Sequence, residues 1–243
     1  MLSIIIPTLN EEKYLPLLLK NIKKQLSGFS YEIIVADADS IDKTKEIAKN
    51  YNCKIVKGGL PAQGKNQGAK YALGDLLFFL DADVFLPNGF FEKILREFYK
   101  KKFDIASFCL LPDSENKFLP VVFNTFYNIP ILLTEKILPH AATGILVKKA
   151  LFLKLNGFDE NITLAEDHDL SRRAKKIGNC GIIKSGKIFI SLRRFEKDGW
   201  VKTGLKYFLC EMHMIFIGPV KTDIFSYKYN YFSNNNTDKT KTS

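Results

Sequence analysis

The apolar run Leu77-Phe78-Phe79-Leu80 ends in Asp81-Ala82-Asp83. In extended backbone, two carboxylates at i and i+2 project to the same side. Held together they repel unless a cation or a proton lies between them. All-oxygen donors suit Mg²⁺ or Mn²⁺, hard ions that keep waters and engage substrate phosphates. An acidic turn at a strand end is the plainer alternative; an apolar strand in front of the pair favours the metal reading.

Four other clusters carry polar chemistry. Ala165-Glu166-Asp167-His168-Asp169-Leu170 opens a helix. Acids there gain from the helix dipole and cap free N–H groups, but three exceed what one cap needs. A carboxylate beside a metal and an anionic leaving group can act as general base. His168 could ligate a metal, but a lone histidine is more often a surface or core residue and is not assigned. Pro7-Thr8-Leu9-Asn10-Glu11 and Asp37-Ala38-Asp39-Ser40-Ile41-Asp42 each follow an apolar run, where turn and cap chemistry competes with ligand binding. The glycine-rich stretch Gly58 to Ala69 is neither GxGxxG nor GxxxxGK[ST], which leaves a loop with Lys65 near phosphate. Arg193-Arg194 suits bidentate phosphate binding, against the plainer reading of a solvated basic turn.

Elements alternate in the first half. Leu2 to Ile6, Glu32 to Ala36, Lys54 to Lys57 and Asp75 to Leu80 read as strands. Glu11 to Gln25, Asp42 to Tyr51 and Gln63 to Leu73 read as the intervening helices. This rhythm implies βαβ units and a mostly parallel sheet whose ligands sit at the carboxyl ends of the strands. Chemistry is therefore expected at Pro7–Glu11, Asp37–Asp42 and Asp81–Asp83. The second half predicts helices over Gly89 to Lys101, Lys149 to Leu155, Asp167 to Ile177 and Gly199 to Ile217. Lys117 to Leu138 reads as helical in pieces. Strands are expected over Asp104 to Cys109 and Gly144 to Val147, with one or two more within Ile182 to Leu192. The expected organisation is a catalytic domain over residues 1–200, a helical extension over 201–232 and a disordered tail over 233–243.

The 243 residues carry 36 Lys and Arg against 26 Asp and Glu, a net charge of +10, with 46% hydrophobic residues. That composition excludes a disordered or fibrous chain and points to anionic partners. No run reaches the roughly 18 apolar residues of a spanning helix, and no signal peptide is read at the start. The four cysteines lie far apart, which disfavours zinc or disulfide frameworks and fits a reducing cytoplasm. The apolar segments Phe118–Leu138 and Leu205–Val220 close a core or meet an anionic membrane surface.

Together these residues resemble the family 2 glycosyltransferases of GT-A fold, over about Leu2 to Trp200. The likeness is carried by Ser3 to Glu12, by Asp37 with Ser40-Ile41-Asp42, and by Lys65-Asn66-Gln67-Gly68-Ala69. It continues through Asp81-Ala82-Asp83, Gly157-Phe158-Asp159-Glu160, Glu166-Asp167 and Arg193-Arg194-Phe195. The stretch from Arg193 to Trp200 looks closest to a compact, soluble branch. The resemblance implies an α/β fold, with a Rossmann-like sheet flanked by helices and a C-terminal helical extension. It implies that Pro7, Thr8, Asn10, Glu11 and Asp37 surround the nucleoside. Lys65 would lie near the nucleotide or diphosphate. Asp81 would face the ribose or the metal shell, and Asp83 would ligate the metal, Mg²⁺ or Mn²⁺. Asp167, with Glu166 beside it, would be the base, and Arg193 and Arg194 would neutralise phosphate. The implied reaction is an inverting transfer from a nucleoside-diphosphate sugar to a sugar, lipid or polyprenyl-phosphate acceptor. Asp167 would take the acceptor proton while charge on the leaving diphosphate is offset. The chain departs from the family pattern at Ala38, at Asp39 in place of a usual Gly, and at Ile41 in place of a usual Thr.

Two other classes compete. A sugar-nucleotide nucleotidyltransferase usually carries a Gly-rich, Arg-containing loop after strand one, where this chain has Pro7-Thr8-Leu9-Asn10-Glu11. A basic nucleic-acid-binding module is disfavoured because the charges are dispersed and no recognition signature is present. Nucleic acid is not an expected partner.

Overall fold

The computed structural model describes residues 1–222 and Ile224. The tail expected over 233–243 lies outside the described residues. Eight strands form one sheet in the order β3-β2-β1-β4-β7-β6-β8-β5. They are β1 (Leu2–Thr8), β2 (Tyr31–Asp37), β3 (Lys54–Lys57), β4 (Leu76–Leu80), β5 (Val84–Phe85), β6 (Ile105–Pro112), β7 (Gly144–Lys148) and β8 (Cys180–Ile190). The first four pair in parallel, as do β6 and β8. β7 runs antiparallel to both β4 and β6, and the short β5 antiparallel to β8. The sheet is thus an α/β sheet of the parallel type with antiparallel insertions in its second half.

Helices α1 (Leu15–Gln25), α2 (Thr44–Asn50), α3 (Pro61–Tyr71) and α4 (Phe90–Lys100) connect the early strands. A broken run follows: α5 (Leu119–Phe123), one π turn (Asn124–Asn128) and α6 (Ile129–Thr134). Then come α7 (Lys149–Lys154), α8 (Glu166–Lys175), α9 (Arg193–Asp198) and α10 (Trp200–Phe216). The pieces expected between Lys117 and Leu138 are these three. The stretch within Ile182 to Leu192 belongs to one strand, irregular where its pairing with β6 jumps from Ile183 to Lys187. β5 and α9 are additions that periodicity does not reveal, because each spans too few residues to show a period. The first helix starts at Leu15 rather than Glu11, with Pro in its first turn.

Strand alternation divides the core. Ile4, Ile6 and Phe78 pack on one face with α1 and α4, through Leu18, Ile22, Phe90 and Phe91. Ile5 and Phe79 pack on the other with α3 and α8, through Ala69, Leu170 and Ala174. β1 and β4 are buried on both faces, which is why they read as unbroken apolar runs. Each such Ile or Phe contributes about 1.5–3 kcal/mol by leaving water. Gly68 sets the approach of α3 to β1: a Cβ there would lie 2.3 Å from Ile5 Cγ2.

Candidate active site

The carboxyl ends of β1, β2 and β4 lie side by side in the sheet. Beyond β2, Asp37 accepts hydrogen bonds from the hydroxyls of Thr8 (3.0 Å) and Ser40 (2.6 Å) and from the Ser40 N–H (2.9 Å). Lys45 Nζ stands 3.9 Å from Asp37 Oδ1, the oxygen that accepts the Ser40 N–H. The loops after β1 and β2 are laced together. Asn10 N–H donates to Ser40 Oγ, Ile41 N–H to Asn10 Oδ1 and Glu11 N–H to Thr44 Oγ1, all within 2.8–3.0 Å. Two residues of these loops have left-handed backbone, Asn10 at φ 56° and Asp39 at φ 61°. Asn and Asp tolerate that region better than other non-glycine side chains, which suits both positions. Pro7 is half-buried in β1.

Asp81-Ala82-Asp83 forms a turn after β4 rather than the extended backbone expected for an i, i+2 pair. The Asp81 N–H donates to Thr143 O (3.2 Å), and Asp83 O accepts from Ser191 N–H (3.2 Å), so β7 and β8 fix the turn. Ser191 lies two residues before Arg193. The Arg193 guanidinium forks onto Glu11 at 2.7 and 2.9 Å and places Nε 2.8 Å from Asp83 Oδ2. Its plane also sits 5.0 Å from the Tyr14 ring centroid. One arginine thus joins the loops after β1 and β4. Burial pushes the Glu11 carboxyl up despite that pairing. Arg194 turns elsewhere, toward the Tyr207 hydroxyl on α10 at 3.4 Å.

Lys65 projects from α3 into the same region and is buried, with Nζ 2.8 Å from Glu166 Oε1 and 2.6 Å from Asp167 Oδ1. Glu166 and Asp167 open α8 behind Ala165, whose φ of 63° turns the chain sharply into the helix. The two acids separate electrostatically. Burial raises both, but Lys65 outweighs it at Glu166 and holds that carboxyl below its usual range. At Asp167 burial wins, helped by the Glu166 charge, and the carboxyl is pushed up. Asp81 is pushed up to about 7, first by burial and then by Asp83, Asp167 and Glu166, against the pull of Lys65. Burial dominates that shift and the three neighbouring carboxylates add to it, so a cation beside Asp81 would favour its charged form. With oxygen-only donors, Asp81 and Asp83 fit a hard divalent ion.

Asn66, next to Lys65, exchanges two hydrogen bonds with the backbone of Phe158 and donates to Glu160 Oε1, each at 2.9 Å. The segment Gly157-Phe158-Asp159-Glu160 is held against α3 by this pair. Asp169, by contrast, is taken by Arg173 at 2.7 Å within α8. Sequence reasoning passed over Tyr14, Lys45, Asn66 and Tyr207 as site residues; only Asn66 had a local signal, inside the Lys65-to-Ala69 motif. It also set His168 aside. That residue is buried in contact with His140 and Glu211, and burial holds His140 well below the usual imidazole range.

The model for "Glycosyl transferase family 2" matches residues 3–146. The minor teichoic acid biosynthesis protein GgaB of Bacillus subtilis is 32% identical over 211 residues, covering 79% of this chain and 23% of that protein. A 4,4'-diaponeurosporenoate glycosyltransferase of Staphylococcus haemolyticus is 39% identical over 112 residues, covering 42% of this chain and 29% of that protein. The chain therefore spans less than a third of either relative's length. Among solved structures, S. aureus TarS 1-349 in complex with UDP-GlcNAc superposes with a TM-score of 0.62 at 23% identity, over 78% of this chain and 58% of that one. The mannosyltransferase PcManGT of Pyrobaculum calidifontis, in complex with GDP-Man and Mn²⁺, gives 0.60 at 20% identity, over 74% and 53%. These likenesses show the GT-A fold. With its order of strand-end motifs and the family match over more than half its length, the chain belongs to the family 2 glycosyltransferases.

Proposed function

We propose that this glycosyltransferase carries out an inverting transfer of a sugar from a nucleoside-diphosphate donor, with Asp167 as general base. The observation that carries the reading is the contrast between two adjacent carboxyls on one lysine. Lys65 holds the Glu166 carboxyl below its usual range, while burial and the Glu166 charge push the Asp167 carboxyl above its own, which makes Asp167 the readier proton acceptor of the two. Asp167 removes the proton of the acceptor hydroxyl as that oxygen attacks the anomeric carbon. A single displacement inverts the centre and frees the nucleoside diphosphate. Where the acceptor is already an anionic phosphate, Asp167 has no proton to remove and serves in positioning.

The loops around Asp37, Thr8, Asn10 and Glu11 hold the nucleoside, with Pro7 beneath them. Arg193 presents positive charge beside Asp83, at the mouth where the diphosphate is expected, with Arg194 further out. A divalent cation on Asp83 and Asp81 would supply charge neutralisation at the leaving diphosphate. Solved neighbours in complex with UDP-GlcNAc, UDP or GDP-Man support the donor class.

Of the extension expected over 201–232, the described part packs on the catalytic domain, with Cys210 and Met214 of α10 and Val220 against Leu164. No helix among the described residues is long and apolar enough to cross a membrane. Yet Phe118, Phe126 and Leu133 around α5 and α6, and Val201, Phe208 and Phe216 on α10, are exposed. Phe123, Phe195 and Trp200 link the two groups through ring contacts of 5.9 and 4.9 Å. Exposed Lys117, Lys136 and Lys202 flank this surface. These features support peripheral contact with an anionic membrane and a lipid-linked acceptor. Thermal-shift screening with UDP-, GDP- and dTDP-sugars plus Mn²⁺ tests the donor reading. Stabilisation by one nucleotide series supports it, and none by any sugar nucleotide contradicts it.

A further inference from the structure

A second donor cluster lies behind the acidic one. His140 comes from the loop before β7, His168 from the first turn of α8 and Glu211 from α10. Glu211 Oε1 lies 2.8 Å from His168 Nδ1 and 3.6 Å from His140 Nδ1. One donor atom from each residue falls within 4.8 Å of the others. His168 Nδ1 is buried and faces the Glu211 carboxylate, which, against the effect of burial, the imidazole and Arg172 together hold below its usual range. On the far side of His140, Nε2 meets the Tyr127 hydroxyl at 2.8 Å.

We propose that His140, His168 and Glu211 bind a zinc ion that clips α10 to the start of α8, one residue from Asp167. Tetrahedral zinc with ligand bonds of about 2.0–2.1 Å sets its donor atoms about 3.3 Å apart. The two Glu211–histidine separations of 2.8 and 3.6 Å bracket that spacing, and all three donors lie within 4.8 Å of one another. Two imidazoles and one carboxylate select a borderline metal such as zinc, whereas the oxygen-only Asp81–Asp83 pair selects Mg²⁺ or Mn²⁺. The two sites therefore differ in chemistry. Tyr127 supplies the outer contact that ligating histidines usually have: with Nδ1 on the metal, Nε2–H donates to the Tyr127 oxygen and fixes the ring. Arg172, whose charge also acts on Glu211 and His140, is the competing counter-charge for this carboxylate.

The test measures zinc and cobalt binding by the full chain in an Asp83→Asn background with Mg²⁺ in excess and no sugar nucleotide present. The expected result is stoichiometric zinc and a Co²⁺ complex with the intense visible absorption of tetrahedral coordination. Both are lost in Glu211→Gln and in His140→Ala, with the circular dichroism of the fold retained. Tyr127→Phe, which keeps all three ligands, weakens zinc roughly 10- to 100-fold. Absence of zinc binding, or binding unchanged by Glu211→Gln, His140→Ala and Tyr127→Phe, overturns the proposal and leaves Arg172 as the partner of Glu211. Because no donor is used, this result is independent of the transfer reaction.

Discussion

Lys65 Nζ lies 2.6 Å from Asp167 Oδ1, an ion pair that joins α3 to α8 across 102 positions of sequence. The lysine is 4% exposed at its side chain and the aspartate 11%. A charge so buried is tolerable only with partners, and Lys65 has two.

Removing that lysine strands both acids. Lys65→Met is expected to destabilise the protein by about 3–5 kcal/mol, the usual cost of leaving a buried charge unpaired. Adding Glu166→Gln should restore part of the loss. Urea denaturation of the two variants checks this; equal stability of Lys65→Met and the native chain contradicts the pairing.

Asp81 makes stability depend on pH. Its carboxyl is raised from the ordinary 3.8 to about 7. As pH rises, the unfolded chain releases this proton first, so the contribution is full below about pH 4 and gone above about pH 7. Asp81→Asn keeps a neutral group at every pH. It should stabilise the metal-free protein at pH 8 by roughly 1–3 kcal/mol, allowing for the residue's partial exposure, and change little at pH 4. Melting curves at the two pH values decide; a gain confined to pH 4 reverses the sign and contradicts the assignment.

The same carboxyl must lose its proton to ligate a cation. Mn²⁺ affinity should therefore climb about tenfold per pH unit below 7 and level off above it. Calorimetric titration at pH 6, 7 and 8 measures this, and a flat profile contradicts Asp81 as a ligand.

Gly68 carries a packing prediction. A Cβ there meets Ile5 at 2.3 Å, and α3 cannot retreat without moving Lys65 and Asn66. Gly68→Ala should cost about 1–3 kcal/mol by overpacking. It should also lower turnover more than a surface change of equal destabilisation, as paired melting and activity assays would show.

The first half of the fold was legible because β1, β2 and β4 are apolar on both faces and their connecting helices carry an apolar stripe. The carboxyl ends of those strands then had to share an edge, so Asp37, Glu11 and Asp83 could be grouped from sequence alone. The antiparallel placement of β7 was not legible, since Gly144–Lys148 has the same apolar run as a parallel strand. Nor was the grip of Arg193 on Glu11: 182 residues separate them, and the pairing of β5 with β8 and the Asp83–Ser191 backbone contact bring the arginine back to the first loop. His168 reads as a lone histidine until α10 delivers Glu211 to it. Long-range partners of this kind leave no periodic trace.

The most direct test compares Asp167→Asn with the native chain in two assays, donor binding by calorimetry and sugar transfer under single-turnover conditions. General-base removal should lower transfer to a hydroxyl acceptor by about 10²–10⁴-fold while donor affinity stays within about threefold. Transfer at the native rate, or a loss explained wholly by failure to bind donor, would contradict Asp167 as the base.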